Sequence, residues 1–145
     1  MKKFKYLLLT LLLLVFFCVV VNAAELELNS KSACLMEAST GRILYEINAD
    51  EKLEPASVTK IMSLVLVFEA MEEGKFDLDT PVSGSEHACS MGGSQIWLEP
   101  GETMSVHEML KAVVVASAND CTVALGELVA GSEEGFVAIM NERAS

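Results

Sequence analysis

Two short clusters hold side chains able to do chemistry. The first is Ser57-Val58-Thr59-Lys60, an S-x-x-K pattern at the opening of an apolar helical stretch. A serine hydroxyl is a poor nucleophile until a nearby base takes its proton. A spacing of three is close to one helical turn, so Ser57 and Lys60 fall on the same face. Lysine serves as that base only when its pKa falls towards the working pH. Burial in apolar surroundings has that effect, because desolvation penalises the charged form. A helix N-terminus also offers backbone N–H groups to a developing oxyanion. The plainer reading makes Ser57 an N-cap and Lys60 a solvated first-turn residue, and both residue types are common enough for one such pattern to arise by accident. The second cluster is Ser117-Ala118-Asn119, an S-x-N in a break between two helical stretches. A hydroxyl and an amide projecting from such a break can reach both a catalytic lysine and a substrate amide, although Ser and Asn are also ordinary capping residues.

The elements that must position these clusters follow from the apolar pattern. Ser32–Glu37 and Arg42–Ile47 are short runs rich in apolar and β-branched residues around the turn Ala38-Ser39-Thr40-Gly41, which predicts a β-hairpin. Asn48–Ala56, with Pro55, reads as a loop. Ser57 opens a helix to about Met71, stopped by Glu72-Glu73-Gly74. Ile61, Leu64, Val65, Phe68 and Met71 recur at helical spacing and Leu66 and Val67 fill in further, so this helix is expected to be apolar on nearly all faces and buried. Lys75–Glu102 is broken by glycine and proline, with Gln95–Leu98 as a candidate short strand. Ser105 and Glu108 form a capping box that starts a helix running to about Val115. Further helices are expected over about Cys121–Ala130 and Glu133–Arg143, separated by Gly131-Ser132.

The 145 residues fit one domain or part of a larger one. Lys2, Lys3 and Lys5 precede an apolar run from Tyr6 to Val21, and small residues follow at Ala23 and Ala24. That is the layout of a secretory signal over residues 1–23, cut after Ala23, with residues 24–145 as the mature part. The competing reading is an uncleaved membrane anchor, for which the apolar run is short. Cys18 does not fit a lipoprotein site, because the bulky Phe17 precedes it. Either way the function is sought outside the cytoplasm. Removing residues 1–23 takes three lysines and no acid, leaving seven basic and 21 acidic side chains, a net −14. Such a body excludes a nucleic-acid partner, whose binding rests on neutralising phosphates. Cys34, Cys89 and Cys121 are odd in number and widely spaced, so no disulfide framework follows. Cys34 and Cys121 sit among apolar neighbours and read as small core residues. His87 and Cys89 make half of a metal-ligand pattern with no second half at ligand spacing, so no metal site is expected.

Taken together, the two clusters resemble the penicillin-recognising serine enzymes, in which S-x-x-K holds the nucleophile. Within them the chain resembles the serine D-alanyl-D-alanine carboxypeptidases. Glu54-Pro55-Ala56-Ser57-Val58-Thr59-Lys60-Ile61-Met62 is similar to that family's nucleophile segment, P-A-S-x-T-K-[IL]-M. Ser90-Met91-Gly92-Gly93-Ser94 with Leu98-Glu99-Pro100-Gly101-Glu102 resembles its G-S-x-x-x-L-x-x-G-E stretch, and Ala116–Asp120 its second motif. Ser30–Ile47 resembles its opening hairpin, so the likeness spans the mature chain in order.

The resemblance implies an α/β fold of the β-lactamase/transpeptidase type: an antiparallel sheet with flanking helices and an all-helical lobe from about Lys75 onward. It implies Ser57 as acylated nucleophile, Lys60 as general base, Ser117 as proton relay and Asn119 as the group that binds the substrate's peptide amide. The substrate would be a peptidoglycan stem peptide ending in D-Ala-D-Ala, with β-lactams as covalent inhibitors and no metal or cofactor. The enzyme would work at the outer face of the cytoplasmic membrane. The family's third motif, K-T-G, has no counterpart among these residues, since none of Lys60, Lys75 and Lys111 precedes Thr-Gly. The chain therefore reads as the N-terminal, incomplete part of a catalytic domain, expected to be inactive and poorly folded alone. A β-lactamase or endopeptidase sharing both motifs, and a non-catalytic exported fragment or pseudoenzyme, are the alternative readings.

Overall fold

The computed structural model describes residues 27–145, so the expected signal sequence over residues 1–23 lies outside the described residues. The chain divides into two compact units between Lys52 and Leu53.

In the first unit, β1 (Ala33–Met36) pairs antiparallel with β2 (Ile43–Ile47) in the register Ala33↔Ile47 to Met36↔Ile43, with a bulge between Leu35 and Met36. The turn forms as its residues predict: Gly41 takes φ 73 and its N–H donates to Glu37 O at 2.9 Å. Asn48 Nδ2 donates to Lys31 O at 3.0 Å and closes the open end of the hairpin. Cys34 is exposed and is not the core residue its neighbours suggested. Apolar neighbours in a strand alternate between faces, so they do not by themselves bury it.

The second unit is a helical lobe. A 3₁₀ turn (Ala56–Thr59) leads into α1 (Lys60–Glu72). Next come β3 (Pro81–Ser83), the single turn α2 (Glu86–Cys89) and β4 (Thr103–Ser105), then α3 (Val106–Ala116), α4 (Asn119–Ala130) and α5 (Glu133–Arg143). The lobe thus contains a β-ribbon besides its helices: β3 and β4 are antiparallel, with Val82 opposite Met104. Gly84 extends the ribbon, its N–H donating to Glu102 O at 2.9 Å and its carbonyl accepting from Gly101 N–H at 2.8 Å. A side chain at Gly84 would strike Leu98 Cδ2 at 2.7 Å, so the close approach requires glycine.

α4 is the hub, packed against α1, α2, α3, α5 and β3. Cys121, Ala124 and Leu125 on α4 meet Val67 of α1 and Met109 and Val113 of α3 in the core. The ends of these helices are local features. Ser105 and Glu108 complete the capping box at α3, Gly131 closes α4 in the left-handed region (φ 82), and Ser132 Oγ accepts from Gly135 N–H at 3.0 Å to start α5.

α1 departs from expectation. Only Ser63, Leu66, Val67 and Ala70 are buried, while Ile61 is 63 % and Phe68 49 % exposed. Within the lobe α1 meets neighbours along one stripe, so an all-round apolar sequence leaves its other faces open. Among the described residues, no helix is long and apolar enough to cross a membrane.

Candidate active site

The nucleophile cluster sits on a tight turn. Ala56 has φ 48, and Val58 N–H donates to Pro55 O at 3.1 Å. Ser57 lies inside the 3₁₀ turn and not at the first turn of the α-helix, which begins at Lys60. The difference helps the geometry, because a 3₁₀ helix has three residues per turn and eclipses side chains at i and i+3. Ser57 Oγ and Lys60 Nζ are 3.5 Å apart. Ser57 is exposed, and Lys60 is half-buried.

The second cluster is the junction of α3 and α4. Ser117 ends α3 in the left-handed region (φ 55, ψ 39), where the chain leaves the helix. Its hydroxyl donates to Ser57 Oγ at 3.0 Å across a separation of 60 residues. Asn119 starts α4, and its Oδ1 accepts from Lys60 Nζ at 2.6 Å. Four side chains named from sequence, Ser57, Lys60, Ser117 and Asn119, therefore form one hydrogen-bonded set. It joins one hydroxyl to an amine, a second hydroxyl and an amide.

Two features escaped the sequence reading. The first is the loop between α2 and β4. Asn119 Nδ2 donates to Gly92 O at 2.7 Å and Asn119 N–H donates to Ser94 O at 2.7 Å. A Cβ at Gly93, which has φ 78, would stand 2.9 Å from Asn119 Nδ2. Glycine is thus what allows the loop to lie against the amide. The second is Asp120, fully buried, whose Oδ2 accepts from Ile96 N–H and Leu98 N–H, both at 3.1 Å. Its Oδ1 accepts from Cys121 N–H at 2.9 Å. This explains why Gln95–Leu98 is not a strand: a carboxylate, and no neighbouring strand, takes its amides. In the sequence Asp120 enters only as the last residue of the second-motif likeness, with no role of its own.

Elsewhere, His87 pairs with Glu133, which joins α2 to α5 and raises the imidazole pKa above its usual value. Cys89 is half-buried. Cys121 is wholly buried, as expected, and burial pushes its thiol up to about 12. Among the described residues, no group of three or more His, Cys, Asp or Glu side chains is arranged to hold a metal ion.

The family model for D-alanyl-D-alanine carboxypeptidase matches residues 19–145. The chain is 53% identical over 123 residues to the D-alanyl-D-alanine carboxypeptidase DacF of Bacillus subtilis (strain 168), covering 85% of this chain and 32% of that protein. Among solved structures it is similar to the D-alanyl-D-alanine carboxypeptidase DacD from Francisella tularensis, with TM-score 0.76 and 35% identity over 87% of this chain and 30% of that one. It is also similar to penicillin-binding protein D2 from Listeria monocytogenes in its ampicillin-bound form, with TM-score 0.71 and 27% identity over 84% of this chain and 48% of that one. The chain spans about a third of the length of the curated relatives it matches. With the family model matching residues 19–145, the chain belongs to the D-alanyl-D-alanine carboxypeptidase family, the S11 peptidases.

Proposed function

We propose that this chain carries the nucleophile half of an exported, penicillin-sensitive serine carboxypeptidase that removes the terminal D-alanine from peptidoglycan stem peptides at the outer face of the cytoplasmic membrane. The observation that supports it most is the contact set Ser117 Oγ–Ser57 Oγ at 3.0 Å and Lys60 Nζ–Asn119 Oδ1 at 2.6 Å, which gathers two distant motifs around one hydroxyl. Ser57 Oγ attacks the carbonyl of the penultimate D-alanine while Lys60, reached directly or through Ser117, takes its proton. As the C–N bond breaks, the proton passes to the leaving amine of D-alanine. Water then hydrolyses the acyl-enzyme with the same groups in reverse order. Asn119 Nδ2 holds Gly92 O with one N–H and has the second to offer a substrate carbonyl. The ampicillin-bound relative supports sensitivity to β-lactams, and the layout of residues 1–23 supports export.

The 145 residues contain no K-T-G, so the family's carboxylate clamp is not among them. Alone they are expected to release no D-alanine from a pentapeptide analogue, and release by the purified 145 residues would overturn that. The test of the function itself uses the full-length protein with labelled penicillin. A covalent adduct on Ser57 that disappears in Ser57→Ala supports the reading. An adduct that persists in Ser57→Ala, or D-alanine release indifferent to that change, sinks it.

A further inference from the structure

Trp97 is the sole tryptophan of the chain, and it is displayed instead of packed: the residue is 78 % exposed. Its backbone is held at φ 64, a left-handed conformation that a bulky residue avoids. The cause is visible on either side. Ile96 N–H and Leu98 N–H both donate to one buried oxygen, Oδ2 of Asp120, and Leu98 is itself anchored in the core at 5 % exposure. With both neighbours tied to one carboxylate, the residue between them is forced outward. The loop that presents it is the one that supports Asn119 through Gly92 O and Ser94 O. Between Asn119 and Trp97 that loop offers Gly92, Gly93 and Ser94, all exposed and small. The same loop thus holds Asn119 at one end and displays an indole a few residues on.

We propose that Trp97 is a substrate-contact residue of this site, and that Asp120 is the positioning residue that holds it out. The inference rests on the carboxypeptidase reading. With Ser57 on the scissile carbonyl and Asn119 on the peptide group before it, the rest of the acyl portion continues past Asn119 along the loop that holds it. The indole meets the carbon chain of the stem-peptide residue preceding D-alanyl-D-alanine. A rigid, amphipathic ring gives apolar contact area there at low entropic cost. The strain at Trp97 is then a property of the recognition surface that Asp120 maintains.

The test compares kcat/KM of the full-length protein for two peptides without sugar. One carries a long aliphatic side chain immediately before D-Ala-D-Ala, and the other carries glycine there. The ratio of the two values is expected to fall about tenfold in Trp97→Ala, the size of effect one aromatic contact gives, and to survive in Trp97→Phe. A ratio in Trp97→Ala equal to that of the wild type overturns the inference and leaves the carboxypeptidase reading standing. A preference that appears only when a disaccharide is attached to the peptide also overturns it, since the ring then serves the glycan. Wild-type protein that neither cleaves these peptides nor takes up penicillin at Ser57 fails at the earlier step, and the inference falls with the function.

Discussion

The Ala56–Thr59 turn and the α3–α4 junction meet at the site, yet they are held in opposite ways. Ala56–Thr59 contains no buried residue and has no side-chain cap at its start. The junction is locked: Ala118, Asp120 and Cys121 are fully buried, and Asp120 takes amides from a separate loop. Ser57 and Lys60 find their places by reaching across to Ser117 and Asn119. One half of the site, which carries the proposed nucleophile and base, is therefore lightly held, while the other is anchored in the core and serves as its template. Among the described residues, left-handed backbone at non-glycine positions falls at Ala56, Trp97 and Ser117 around the site, and at Asn48 in the hairpin unit.

The largest expected effect separates chemistry from support. Lys60→Ala removes the proposed base from the lightly held half. In the full-length protein the rate of Ser57 acylation by penicillin should fall about 10²–10⁴-fold, the usual contribution of a general base. The urea midpoint should move little, because Lys60 is only half-buried and gives up one short hydrogen bond, to Asn119 Oδ1. A large loss of stability would show that the turn is a structural element and break the contrast. Asp120→Asn attacks the rigid half and should do the reverse in kind. The side chain keeps its shape but presents an NH2 group to amides that need an acceptor. About 2–3 kcal/mol of stability should be lost on denaturation, the scale of hydrogen bonds to a buried charge. Cys121 reports the same event, since its buried thiol, pushed up to about 12, is closed to alkylation in the native state. Iodoacetamide should leave Cys121 untouched in wild type and modify it in Asp120→Asn. Equal protection in both would mean that the junction closes without the carboxylate.

This division also explains what could be read in the sequence. Features set by neighbouring residues were legible: the turn at Gly41, the capping box of Ser105 and Glu108, and the start of α5 at Ser132. Ser57 and Ser117 are 60 residues apart, and no periodicity links them, so only the family likeness could pair them. The buried carboxylate of Asp120 was invisible for a related reason. Its partners are backbone amides, which every residue has, and nothing in the types of Ile96 or Leu98 marks them as donors. α1 misled because an apolar run states what can be buried, and the lobe covers one stripe of it. Strands β3 and β4 escaped because three-residue strands are too short for an alternation to register.

The smallest expected effect concerns a second brace of the rigid half. His87 on α2 pairs with Glu133 at the start of α5, and α2 runs directly into the loop that supports Asn119. The Glu133 contact, with the charges of Glu127 and Glu134 adding to it, raises the imidazole pKa. A raised folded-state value means that the native protein binds the proton more tightly than the unfolded chain. The contribution is therefore fully present below the unfolded value of about 6.5 and fades as pH climbs through the folded one. His87→Gln should lower the urea midpoint most near pH 5.5, and the gap from wild type should shrink towards zero by pH 9. Both partners are about half exposed, so added salt should narrow the gap at pH 5.5 as well. A gap that stays constant across this range would assign His87 a packing role. The junction would then rest on Asp120 without help from charge at its outer face.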